Sequence, residues 1–198
     1  MPSLKSPLLW FVLAVLITAA LTALAPEELS LGANVRIVYL HGAWVLTAEA
    51  ALGLSALAGL LGILTRRERL HSWSAALGRT GLFFWVTYLP LSLWAMQANW
   101  NGLYLSEPRF RLALIFAVTG VLIQIGLTLL ARPVLTSSVN LLFFVALRIG
   151  LSQANYIMHP PPSPIFGSGI ISLQLFFIGI VFMAMVAAYF MTRWWLSR

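Results

Sequence analysis

Long uninterrupted apolar runs constrain this chain more than any other feature. Six stretches of roughly 17–25 residues lie between polar breaks. They are Leu8–Ala25, about Val38–Leu64, about Leu82–Ala98, Leu112–Leu130, Leu135–Leu151 and Ile170–Met191. Runs of this length match the hydrocarbon thickness of a bilayer, where each backbone polar group must be satisfied inside its own segment. Helices meet that demand and open strands do not. The sequence therefore predicts an all-α, polytopic transmembrane helical bundle with six spans, forming a single membrane domain over residues 1–198. The fifth run is the weakest, because it carries Asn140 and Arg148. No separate soluble domain fits, since the longest break, between the fifth and sixth runs, has only about 18 residues.

Composition agrees. Of 198 residues, 61% are hydrophobic and 9% charged, far from the balance of a soluble domain. There is no cysteine, which removes disulfides, thiolate metal sites and covalent c-type haem attachment. The net charge of +7 does not point to nucleic acid, because the basic residues punctuate apolar runs and form no patch. Their distribution sets an orientation instead. Lys5, Arg66, Arg67, Arg69, Arg79, Arg132, Arg193 and Arg198 fall on one side of a six-span chain, and Arg36, Arg109 and Arg111 on the other. Basic loops stay in the cytoplasm, so both termini are expected there, in a membrane of the bacterial inner (plasma) type. Lys5, the first run and Ala23–Ala25 also resemble a cleaved signal peptide, but the run is longer than a usual h-region and reads as a first span. Cleavage would move neither outer histidine.

The second run is the most informative. Ala51, Ser55 and Gly59 recur every four residues, a ridge of small side chains that lets another helix approach closely. The same helix carries His41 near its outer end and Glu49 two turns deeper, about 80° apart around the axis. An intramembrane carboxylate is costly and suggests function by default. The alternatives are a protonated Glu49 bonded to a neighbouring helix, or an ion pair with Arg148.

His41 taken alone reads as a polar residue reaching the interface. His159 changes the balance. It lies in "NYIMHPPPSPIFGSG", an uncharged, proline-rich and therefore stiff, non-helical segment after the fifth span, expected to lie against the bundle on the outer face. Two imidazoles on one side suit haem b with bis-histidine coordination. Zinc would want further protein ligands, and Glu107 is the only obvious addition on that side. Trp94, Trp100 and Tyr104 join the third and fourth spans on the same face, where aromatic residues also collect as interface anchors. Arg36, Arg109 and Arg111 are candidates to pair with haem propionates, or else ordinary solvated loop residues.

These residues carry a resemblance. "NVRIVYLHGAWV" is similar to the start of the second helix in cytochrome c assembly proteins of the CcmC/CcsA type, and "SVNLLFFVALRIGLSQANYIMHP" resembles their fifth helix running to a second histidine. The similarity spans about residues 5–192 and includes the six-span topology. It implies that His41 and His159 ligate haem on the outer side, for export or presentation to a haem chaperone. That family's tryptophan-rich outer stretch ends in an aspartate, whereas this chain has "WAMQANWNGLYLSEPRFR", with two tryptophans and Glu107 as the nearest acid.

Three readings follow, none of them an enzyme. The first is a haem-handling membrane protein of cytochrome c assembly. The second is a haem-bearing or structural subunit of a larger respiratory or photosynthetic complex, with other membrane subunits and lipid as its partners. The third is a small transporter using Glu49 and Arg148, for which no inverted repeat or broken helix is visible.

Overall fold

The computed structural model describes residues 6–155, 157 and 164–198. The helices are α1 (Pro7–Ala23), α2 (Val35–Thr65), α3 (Glu68–Trp100), α4 (Pro108–Leu130), α5 (Pro133–Gln153), a single-turn α6 (Pro164–Gly167) and α7 (Ile171–Leu196). Among the described residues there is no strand, only an isolated bridge from Glu28 to Gly32 in the turn after α1. The expected all-α bundle is what forms. Four helices, α2, α4, α5 and α7, are long and apolar enough to cross a membrane. These are the helices of an integral membrane protein. The shorter α1 is equally apolar, while α3 has Glu68, Arg69, His71 and Arg79 in its first turns.

Local chemistry sets the boundaries. Pro7, Pro108 and Pro133 open α1, α4 and α5, at a position where the missing N–H needs no partner. The largest departure from expectation is "TRRERLHSW", read as a cytoplasmic loop. Only Arg66 and Arg67 lie between α2 and α3, and the rest of that segment is helical. Glu68 sits in the first turn of α3, where a carboxylate complements the positive end of the helix. Arg66 takes the left-handed conformation (φ 54°) that ends α2, and Ala131 (φ 49°) does the same after α4, so both links are two-residue turns. The proline-rich segment after α5 was expected to be non-helical, but Pro164–Gly167 makes one turn.

The centre of the bundle is the antiparallel hairpin of α2 and α3. Contacts pair Gly62 with His71, Ser55 with Ser74, Leu52 with Gly81, Trp44 with Thr87, His41 with Tyr88 and Asn34 with Ala98. This register holds along the whole length of both helices. On one flank α5 packs against α2 in the opposite direction, pairing Gly59 with Ser137, Gly53 with Phe144 and Glu49 with Arg148. Beyond it α4 runs antiparallel to α3, with Trp85 Nε1 donating to the Ala113 carbonyl at 3.1 Å. On the other flank α7 bonds α3 through Thr192 and Thr80 at 2.9 Å, and α1 lies against α7 and α3 through Trp10–Phe190 and Phe11–Phe83.

Small residues allow this closeness, as the ridge on the second run implied. A Cβ on Gly59 would lie 2.9 Å from both the Ser137 carbonyl oxygen and Ser74 Oγ. Around it runs a buried neutral seam. Ser55 Oγ donates to the Ser74 carbonyl at 2.7 Å, Asn140 Nδ2 donates to the same carbonyl at 3.1 Å, and Gln124 Nε2 donates to Asn140 Oδ1 at 2.9 Å. His71 Nδ1 lies 2.7 Å from Ser137 Oγ. In hydrocarbon, helix association depends on such packing and on interhelical hydrogen bonds, since apolar side chains gain little by leaving lipid.

Gly59→Ala is expected to destabilise the bundle by about 2 kcal/mol through overpacking. Gly179→Ala, with no atom within 4 Å of the new Cβ, is expected to stabilise it by about 0.5–1 kcal/mol through helix propensity. Thermal unfolding in detergent, scored against wild type, reads both. Equal shifts for the two variants would remove the close-approach account of α2.

Candidate functional site

Towards the ends of α2–α5 remote from the α2–α3 turn lie His41, Glu49, Arg148 and Arg109. His41 projects from α2 towards α3, where its ring meets Tyr88 edge-on at 5.6 Å between centroids. Tyr88 is buried and packs edge-on against Trp85 at 5.0 Å. One turn deeper than His41, Trp44 Nε1 donates to Thr87 Oγ1 at 3.1 Å, which fixes the rotation of α2 on α3. His41 thus sits on a rigid aromatic wall.

Glu49 lies on the neighbouring face of the same helix and forms an ion pair with Arg148 Nη1 of α5. Arg109, near the start of α4, adds its field at the same carboxylate, and Tyr88 feels the carboxylate in turn. Of the two fates weighed for Glu49, the ion pair is the one observed. It joins α2 to α5 and gives each costly charge its partner.

The length of α5 then decides what stands above this pair. The pairing of α2 with α5 advances one residue on each helix, so Gln153 at the end of α5 falls level with about Trp44 or Val45. His41 lies one turn further out, beyond the end of α5. The chain leaving α5 is held at this level by Glu107. Its carboxylate is 2% exposed and accepts the backbone N–H of Ile157 through both oxygens, at 3.1 and 3.3 Å. His159 is two residues further along the chain and lies outside the described residues.

The remaining candidates do not join this group. Arg36 is turned to the α1–α2 connection, donating to the Ala25 carbonyl at 3.1 Å and pairing with Glu27 at 3.4 Å. Trp94 is 61% exposed on the surface of the bundle. Trp100 and Tyr104 face each other edge-on at 5.9 Å, and Arg111 is exposed. Trp94 and this pair sit where interface anchors sit. His71 lies at the opposite end, inside the neutral seam.

Tyr88 and the anchoring role of Glu107 are the additions the structure makes. Tyr88 carries a faint signal, since Phe84, Trp85 and Tyr88 share one helical face. Only the register of α2 on α3 reveals that this face meets His41. In the loop between α1 and α2, Glu28 accepts hydrogen bonds from the Ser30 hydroxyl and from the N–H groups of Ser30 and Leu31. The Ser30 hydroxyl leads in holding that carboxyl below its ordinary range.

Among the described residues, no three His, Cys, Asp or Glu side chains cluster as a protein-only metal site. Haem asks less, because the porphyrin supplies the equatorial donors and the protein supplies only axial ones. The half-buried His41 imidazole, set against this aromatic wall, is the described side chain whose chemistry suits such a role. No protein-family model, curated protein or solved structure matches the chain. The functional reading therefore rests on these residues and their geometry.

Glu107→Ala is expected to release the segment after α5. Losing the buried acceptor should destabilise that attachment by about 1–3 kcal/mol. Hydrogen exchange at the Ile157 amide should then accelerate by about tenfold or more, with the seam amides around Ser74 unchanged. Unchanged exchange at Ile157 would show that Glu107 does not hold it.

Proposed function

We propose that this chain is a six-span membrane protein that binds haem b on its outer face, with His41 and His159 as the residues that would hold it, and both termini in the cytoplasm. The observation that carries the reading is the position of His41, held on Tyr88 and level with residues past the end of α5, the helix whose following segment contains His159. Support for six spans comes from the alternating directions of α1, α2, α3, α4, α5 and α7, each lying alongside its neighbours. At 33 residues, α3 is about 50 Å long and extends past a hydrocarbon layer of about 30 Å, which leaves its charged first turns at the inner surface.

Haem bound there would supply redox-active iron. The chain's own contribution is to orient the His41 imidazole, to shield one side with Tyr88 and Trp85, and to set a positive field with Arg109 near the site. No substrate bond is broken, so the role is haem holding, export or presentation in cytochrome c assembly, with a haem chaperone as the partner implied. A second reading, a subunit of a larger membrane complex, draws support from an apolar cleft of about 360 Å³ between α4 and α5, lined by Ile115, Phe116, Val139 and Phe143 among others. For the transport reading, the Glu49–Arg148 pair supplies a structural reason for both charges.

Purified protein is expected to show a low-spin haem absorption spectrum that is lost in both His41→Ala and His159→Ala. Protein supplied with haem that shows no such spectrum, or one that survives both substitutions, ends the haem reading. Topology has its own check, because the chain lacks cysteine. Ser197→Cys and Gly102→Cys should be labelled by a membrane-impermeant thiol reagent from opposite sides, Gly102→Cys from outside. Labelling of both from one side would rule out the six-span arrangement.

A further inference from the structure

The Glu49–Arg148 pair is not sealed inside the bundle. The Arg148 side chain is 51% exposed and Glu49 only 23%. One guanidinium nitrogen, Nη1, meets the carboxylate, and the other guanidinium N–H groups have no partner among the described residues. Around the exposed edge, Leu46 of α2 and Val145 and Ile149 of α5 are exposed apolar side chains, and Ser152 is exposed one turn further out. A half-exposed cation on a face of exposed aliphatic residues is a lipid-facing cation. Its depth is also specific. Arg148 precedes the end of α5 by five residues, about 7.5 Å, a distance an arginine side chain covers by extending towards the interface. Glu49 also feels the guanidinium of Arg109, so it is not committed to Arg148 alone.

We propose that the free edge of Arg148 binds the phosphate of an outer-leaflet phospholipid, whose chains lie along the exposed faces of α2 and α5. The guanidinium fork matches two phosphate oxygens, and the Glu49 carboxylate holds the fork in place while competing for it. This site does not depend on the haem reading. It makes the two members of the pair act with opposite sign. Arg148 is required for the lipid, whereas Glu49 restrains binding.

The test uses the full chain, prepared without haem in detergent, stripped of lipid and titrated with phosphatidylglycerol, with bound lipid counted by native mass spectrometry. Wild type is expected to hold one phosphatidylglycerol, and Arg148→Gln to weaken binding by about tenfold or more. Glu49→Gln is expected to bind at least as tightly as wild type. Arg148→Lys retains the charge but not the fork, and should weaken binding by roughly two- to fivefold, which keeps the proposal testable if the glutamine variant does not fold. Inorganic phosphate forms the second arm. Lipid that stays bound in excess phosphate supports the lipid site, and displacement at equal concentration assigns a free anion and overturns it. Equal binding by Arg148→Gln and wild type, or a loss in Glu49→Gln that matches the loss in Arg148→Gln, also overturns it.

Discussion

The close approach of α2 and α3 is the constraint on which the rest of this structure depends. Helices in hydrocarbon gain little from burying apolar side chains, so a long stable crossing needs backbone proximity and satisfied polar groups. Here both are present. Gly62 and Gly81 leave no space for a side chain between the two helices, Gly59 is closed in by Ser74 and by Ser137 of α5, and Ser55–Ser74, Trp44–Thr87 and Asn34–Ala98 bond across the pair. Because the register runs unbroken from Gly62–His71 to Asn34–Ala98, rotation of α2 is fixed at both ends by the same packing. The orientation of His41 is a consequence of contacts made well over a helical turn away.

From that central hairpin the two ends of the bundle differ in kind. Towards the α2–α3 turn, hydrogen bonds among Ser, Asn, Gln and His side chains join the helices, and Arg79 of α3 lies over the Trp195 ring of α7 at 5.4 Å. Towards the other end carboxylates take part: Glu49 with Arg148, Arg109 nearby, and the buried Glu107 holding Ile157. Neutral partners suffice to specify helix packing, and a charged set is more costly in the same medium. Among the described residues, the carboxylates bonded between elements, Glu49 and Glu107, lie towards the end of the bundle that carries His41.

Much of the fold was legible because hydrocarbon imposes length. Each of the six apolar runs contains the core of a long helix, and Val38–Leu64 becoming Val35–Thr65 is the typical size of the error. The start of α3 shows where this stops working. Glu68, Arg69 and His71 read as loop because polarity was taken for exposure, yet His71, and Ser74 just beyond, are polar residues turned inwards to partners on α5 and α2. At the site, His41, Glu49 and Arg148 were legible as residues too costly to be accidental, and the ion pair was among the outcomes weighed. Tyr88 was not legible, since nothing local to α3 says which face meets α2. The aromatic residues Trp94, Trp100 and Tyr104 were read for their chemistry, but their chemistry is shared by every interface anchor, and the structure leaves them apart from His41.

The mismatch in helix length ties these points together. At 21 residues, α5 is about as long as the hydrocarbon layer is thick, whereas α2 and α3 have 31 and 33. A short helix packed on two long ones leaves a step, and the step lies where α5 ends below His41. Polar and charged groups are tolerated at such a place because the chain leaving the helix brings its own backbone donors, as Ile157 does for Glu107. The shortness of α5 thus leaves the His41 end of α2 to the chain that follows the helix and keeps Arg148 within five residues of the helix end.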